Sequence, residues 1–100
     1  LRNNQIKQLG KDVQSLDGAK LVIGDFNSVP WDSVIENFKE ETFLKDSRKK
    51  ITPTYPTSIP LAGIPIDFIF HSKDLTCVDF NAINGAASDH KGIQGSYSFK

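Results

Sequence analysis

One hundred residues, 38% of them apolar and 24% charged, fit one domain with a packed core, and they exclude two stacked catalytic domains, a disordered tail or a collagen-like fibre. Twelve Lys and Arg balance twelve Asp and Glu, so no net field draws the domain to nucleic acid or an acidic membrane, and any phosphate binding has to be local. Cys77 is the single cysteine and leaves no internal disulfide; no Cys/His cluster has zinc spacing, and no apolar run reaches the ~20 residues of a membrane span.

The chain opens at Leu1, without Met, inside a polar segment, and so reads as a fragment of something longer. Ile6, Leu9, Val13 and Leu16 recur at helical spacing, which predicts a helix over residues 2 to 16 ended by Asp17-Gly18. Leu21-Val22-Ile23-Gly24 follows as a wholly apolar run and predicts a strand buried on both faces, with Asp25 at its carboxyl end. Ser33 with Glu36 three residues on has the form of a capping box, and Val34, Ile35 and Phe38 supply the apolar stripe of a second helix. Trp31, directly after Pro30, is expected to pack.

Residues 45 to 50 carry four positive charges against one negative, and four prolines between Thr52 and Pro65 predict a long ordered loop. From Ile64 the period becomes two: Ile64, Ile66, Phe68 and Phe70 share one face, and Asp67, Ile69 and His71 the other. Further strands are expected from Thr76 to Ile83 and around Ile93, Tyr97 and Phe99, with Gly95 between them where a side chain is missing.

Three polar clusters lie at the ends of these apolar elements. In an extended backbone Asp25 and Asn27 point the same way and present an acceptor and a donor to one ligand; the bland alternative is that both cap a turn. Asp67, a carboxylate within an apolar strand, needs a partner: backbone N–H groups, a basic side chain from residues 45 to 50, or a histidine. Ser88-Asp89-His90 is weak evidence alone.

Taken together and in order, Gly24-Asp25-Phe26-Asn27-Ser28, Pro30-Trp31, Thr54-Tyr55-Pro56, Pro65-Ile66-Asp67 and Ser88-Asp89-His90, after a helix with Arg2, Gln5 and Leu9, resemble the endonuclease/exonuclease/phosphatase superfamily. These are metal-dependent phosphoesterases that include deoxyribonuclease I-like enzymes, and the match is to the carboxyl-terminal half of their domain, covering nearly all of residues 1–100. The resemblance implies an α/β (α+β) fold, half of a two-sheet sandwich with a mixed sheet and flanking helices. It implies that Asp25 orients or deprotonates the attacking water, that Asn27 holds a phosphate oxygen, and that both lie close to a divalent cation. His90 would contact the phosphate, Asp67 would orient that imidazole, and Asp89 would lie near the metal. Carboxylate oxygens favour Mg²⁺ or Mn²⁺ over zinc.

A metal-binding glutamate and a second catalytic histidine of the family have no counterpart here. Glu36, Glu40 and Glu41 fall on a solvated helix face, and His71 reads as structural. The implied partner is a phosphate ester, nucleic acid included, together with the amino-terminal half of the domain or a second copy of the chain covering an exposed sheet. Thr54-Tyr55-Pro56-Thr57 and Trp31 look closest to bacterial members often anchored to a membrane with the catalytic domain outside the cytoplasm. A non-catalytic phosphate-binding module of the same fold, and an interaction domain whose clusters are only caps and buried pairs, are the competing expectations.

Overall fold

The computed structural model describes residues 2–48, 67–83 and 92–100. In chain order these form α1 (Arg2–Gln14), β1 (Leu21–Asp25), α2 (Ser33–Thr42), β2 (Lys45–Asp46), β3 (Asp67–His71), β4 (Leu75–Ile83) and β5 (Gly92–Phe99). The fold is α+β. β1, β3 and β2 form an antiparallel sheet with β3 in the middle, while β4 and β5 pair as a separate antiparallel ribbon. The described strands thus belong to two sheets, more than the sequence alone suggested. The expected loop from Thr52 to Pro65, Ile64 and Ile66 of the strand row, and Ser88, Asp89 and His90 lie outside the described residues.

β3 is buried on both faces. Its period of two sends Phe68 and Phe70 to one side, where neither retains any exposure, and Ile69 and His71 to the other, where 4% and 6% remain. On the phenylalanine side the helices close the core with Ile6 and Val13 of α1 and Ile35 and Phe38 of α2, joined by Phe26 and Leu44. The ring of Phe26 meets those of Phe38, Phe68 and Phe70 edge-on at 5.6, 5.4 and 5.2 Å between centroids, the favoured arrangement for aromatic quadrupoles. The sequence predicts a bare apolar face on part of the Ile64, Ile66, Phe68, Phe70 row or at Cys77 and Val78; Phe68, Phe70 and Cys77 are covered, and Val78 is 60% exposed.

Several local readings change. β1 is the edge of its sheet among the described residues, and Leu21 and Ile23 keep 46% and 64% of their surface, so it is not buried on both faces. Its apolar run comes from lying beside β3, with Val22 half-buried against the core. α1 stops at Gln14, because the N–H groups of Ser15 and Leu16 turn to the carbonyls of Asp12 and Val13 in a tightened last turn that swings Leu16 into solvent. Gln14 instead uses its side chain, donating from Nε2 to the carbonyl of Glu41 at 2.7 Å near the end of α2.

The capping box does not form. Asp32 occupies the N-cap of α2, and its carbonyl accepts from Ile35 and Glu36. Its carboxylate is directed backwards, to the hydroxyl of Ser28 and the N–H of Val29. Trp31 is 61% exposed and does not pack as expected.

On the other side of β3, the ribbon keeps its apolar face inward through a bulge. Cys77 pairs with Tyr97 but Asp79 pairs with Ser96, leaving Val78 as the extra residue. Leu75 and Cys77 before the bulge and Phe80 and Ala82 after it then share the inward direction, although they do not share one alternation. Gly95 lies beneath Tyr97: a β-carbon there would stand 2.6 Å from the phenol oxygen, so the missing side chain is what lets the ring lie flat along the strand.

Truncating the residue that joins helices to sheet tests this packing. Phe26→Ala is expected to destabilise the intact protein by about 3–5 kcal/mol in urea denaturation, the usual cost of emptying an aromatic core site, whereas Trp31→Phe should stay within about 0.5 kcal/mol of the parent.

Candidate active site

The register of β1 on β3 pairs Leu21 with His71, Ile23 with Ile69 and Asp25 with Asp67. Residues opposite one another in a sheet share a face, so the two carboxylates stand side by side at the end of the sheet, on the face away from the aromatic core. Asp25 is exposed and Asp67 half-buried. Like charges in such a pair oppose one another, which makes this sheet end a natural place for a cation or for hydrogen-bond donors.

Asn27 comes to Asp25 by a different route from the expected one. β1 ends at Asp25, and Asn27 has a left-handed φ of 49°, a conformation asparagine tolerates better than most residues. Its backbone N–H donates to Oδ1 of Asp25 at 2.8 Å, closing a turn in which the side chain of Asp25 is an acceptor. The two residues are brought together by this turn, not by an extended strand. Both line a groove of about 340 Å³ between α1 and β1, with Gln5, Ile6 and Gly24 also in its wall.

Asp67 has a basic neighbour from the segment after β2. Arg48 donates from Nη2 to the backbone carbonyl of Asp67 at 2.6 Å, and its Nη1 lies 4.0 Å from Oδ2 of Asp46. The guanidinium also sits over the rings of Phe68 and Phe80, 5.1 and 5.4 Å from their centroids. Burial holds the Arg48 pKa below its usual range, against the opposing pull of the Asp46 and Asp67 charges. The same burial raises the Asp46 carboxyl, partly offset by the Arg48 backbone hydrogen bond and the Arg48 charge.

Because Arg48 touches both Asp67 and Phe80, the Ile83–Gly92 end of the ribbon lies toward the Asp25–Asp67 end of the sheet. Ile83 and Gly92 are paired neighbours, and the connection between them carries Ser88, Asp89 and His90. The pairing of Asp67 with His90 falls outside the described residues.

His71 stands at the far end of β3. Tyr97 donates its hydroxyl to Oγ of Ser47 at 2.7 Å, and Oγ of Ser47 is hydrogen-bonded to Nδ1 of His71 at 2.8 Å. The imidazole also packs 5.7 Å from the Tyr97 ring. This buried chain ties β3 to β5 and gives His71 the structural role its sequence position suggested. Arg48 is one of the basic side chains of residues 45 to 50 that the sequence offered as neighbours for Asp67, whereas Ser47, only 1% exposed, was hidden within that basic run.

Glu36, Glu40 and Glu41 are exposed on α2, with Glu36 paired to Lys39 at 3.1 Å. Among the described residues no group of three or more His, Cys, Asp or Glu side chains is placed to hold a metal ion.

The model of the endonuclease/exonuclease/phosphatase family matches residues 2–90, and the chain belongs to that family. Solved structures that share its fold include two from bacteria. One is a functionally unknown conserved protein from Enterococcus faecalis, with a TM-score of 0.77 at 15% identity, over 99% of this chain and 44% of that one. The other is a mannosyl-6-phosphatase from Bacteroides thetaiotaomicron, with a TM-score of 0.69 at 17% identity, over 98% of this chain and 44% of that one. The chain therefore spans less than half the length of either. No curated protein matches it by sequence.

The Ser47–His71–Tyr97 chain makes stability depend on pH. Burial is the first cause that lowers the His71 pKa, with the charge of Lys45 next, Asp46 opposing and Lys100 adding a small push. A depressed folded pKa means the unfolded chain takes up the proton more readily. The stabilisation is thus complete above the unfolded value of ~6.5 and is lost as pH falls through the folded value. Denaturation midpoints of the intact protein should fall below pH ~6.5 more steeply for the parent than for His71→Gln.

Proposed function

We propose that this chain is the carboxyl-terminal half of a divalent-metal-dependent phosphoester hydrolase domain. The observation that carries the reading is the cross-strand pair of Asp25 and Asp67, with Asn27 folded onto Asp25 and these two lining the groove beside α1. Family membership supports the reaction class, and the matched stretch runs through Asp89 and His90.

The donor chemistry fits a hard cation: the groups assigned to it, Asp25, Asn27 and Asp89, offer carboxylate and amide oxygens and no sulfur. Mg²⁺ or Mn²⁺ bound there would supply positive charge to the phosphoryl oxygens during attack. Asp25, exposed beside the groove, orients a water and accepts its proton. The side-chain amide of Asn27 donates to a non-bridging phosphate oxygen. His90 donates to the oxygen on which negative charge grows, and Asp67 fixes the tautomer and direction of that imidazole.

The substrate class follows from charge only in part. With 12 basic and 12 acidic residues the chain has no field that selects a polyanion, so recognition rests on the phosphate itself. Exposed Leu21 and Ile23 beside buried Ile69 form apolar surface for the remaining part of the domain to cover. A location outside the cytoplasm, in a membrane-anchored bacterial protein, goes with this reading.

In the intact protein with Mg²⁺, a panel of a sugar phosphate, bis(p-nitrophenyl) phosphate and DNA is expected to reveal turnover that a chelator abolishes. Asn27→Ala and His90→Ala should each lower kcat by roughly 10²-fold or more, the scale of losing one charge-stabilising group. Phosphate binding without turnover on any of the three would replace the enzyme reading with that of a binding module. The isolated 100-residue chain should show little or no turnover, and a rate equal to that of the intact protein would contradict the half-domain assignment.

A further inference from the structure

Arg48 is a buried cation: 3% of its side-chain surface remains exposed. Of its guanidinium nitrogens, Nη2 has the Asp67 carbonyl at 2.6 Å. Nε and Nη1 have no hydrogen-bond partner among the described residues. Leaving buried donors unmatched costs free energy, and a hydrophobic residue of similar volume would avoid that cost. The guanidinium is nevertheless held on three elements at once: by Asp46 after α2, by Asp67 and Phe68 on β3, and by Phe80 on β4.

Those contacts fall where the two parts of the site meet. Asp67 is the first residue of β3 and faces Asp25 across the sheet. Phe80 lies three residues before Ile83, where β4 gives way to the connection bearing Asp89 and His90. Elsewhere the Ser47–His71–Tyr97 chain joins the ribbon to the sheet, nearer its other end. A planar cation can donate to a carbonyl in its plane while stacking on aromatic faces, which an ammonium cannot do.

We propose that Arg48 is a positioning residue for phosphoester hydrolysis: by joining the Asp67 carbonyl to the Phe80 ring, it fixes the end of β3 that carries the carboxylate pair against β4. The proposal rests on the phosphoesterase reading above. Arg48 touches no substrate in this scheme; it acts through Asp67 and β4.

The test uses the intact protein with Mg²⁺ and the most active substrate of the panel. Arg48→Ala is expected to lower kcat roughly 10–100-fold, the scale of a small misplacement of reacting groups, with KM within about twofold of the parent. Millimolar guanidinium should restore kcat in Arg48→Ala by refilling the space over Phe68 and Phe80, and methylammonium should not. Arg48→Lys, which keeps the charge without the planar fork, is expected to fold with the parent's melting temperature and still lose kcat. Parent-like kcat in Arg48→Lys, or no guanidinium rescue of a folded Arg48→Ala, would overturn the proposal. If the parent itself turns over no phosphoester, the phosphoesterase reading fails. Amide hydrogen exchange then judges the anchoring alone: faster exchange at Phe68 and at residues 80–83 in Arg48→Ala, reversed by guanidinium, upholds it, and unchanged exchange removes it.

Discussion

Everything in this chain is organised around a five-residue strand that has no solvent face. β3 gives its even residues, Phe68 and Phe70, to the helices and its odd residues, Ile69 and His71, to the ribbon. Such a strand must be covered twice, and the covering elements are consequently fixed relative to each other through it. The aromatic side does this by dense ring contact, with Phe26 seated against three other rings. The other side uses fewer apolar groups and adds a hydrogen-bonded chain. Asp67 begins this strand, so the position of its backbone is set from both layers.

The electrostatics are local in the same way. A chain with no net charge places two carboxylates opposite each other at one sheet end and a buried guanidinium on the backbone of one of them. The guanidinium meets two aromatic faces and a carbonyl, so part of its hydration is replaced by acceptors of fixed direction. At the opposite end of the strand, Ser47 and Tyr97 hold His71 in a buried hydrogen-bonded chain, and burial favours the neutral imidazole. The two ends of β3 thus hold different chemistry: fixed charge at one, a neutral hydrogen-bond chain at the other.

How much of this could be read from the sequence depends on whether the signal was local. The periods of α1, α2, β3, β4 and β5 are local, and the expected elements appear with ends shifted by a residue or two. The family resemblance, carried by Gly24-Asp25-Phe26-Asn27 and Ile66-Asp67, agrees with the family the chain belongs to. What the sequence hid was pairing. An apolar run such as Leu21-Val22-Ile23 looks the same at a sheet edge as in its centre, and the difference is decided by neighbours absent from the pattern. The capping box failed because Asp32, one residue earlier, took the N-cap and spent its carboxylate on Ser28. Asn27 left the extended region because the Asp25 carboxylate offered its N–H a bond. Ser47 and Arg48 sit in a charged run whose average is hydrophilic, and their burial comes from β3 and the ribbon, far away in sequence.

The empty space at Gly95 reaches further than its own strand. Because the Tyr97 ring occupies the room that a β-carbon at position 95 would take, the phenol is steered to Ser47, and through Ser47 to the ring of His71. Any side chain at 95 would displace the hydroxyl and strip the serine of its donor, so positions 95, 97, 47 and 71 are tied together across half the chain. Over evolutionary time a glycine in such a place is not free to drift on its own: it and the tyrosine can be exchanged only as a set, and the histidine inherits the consequence of a change that never touches it.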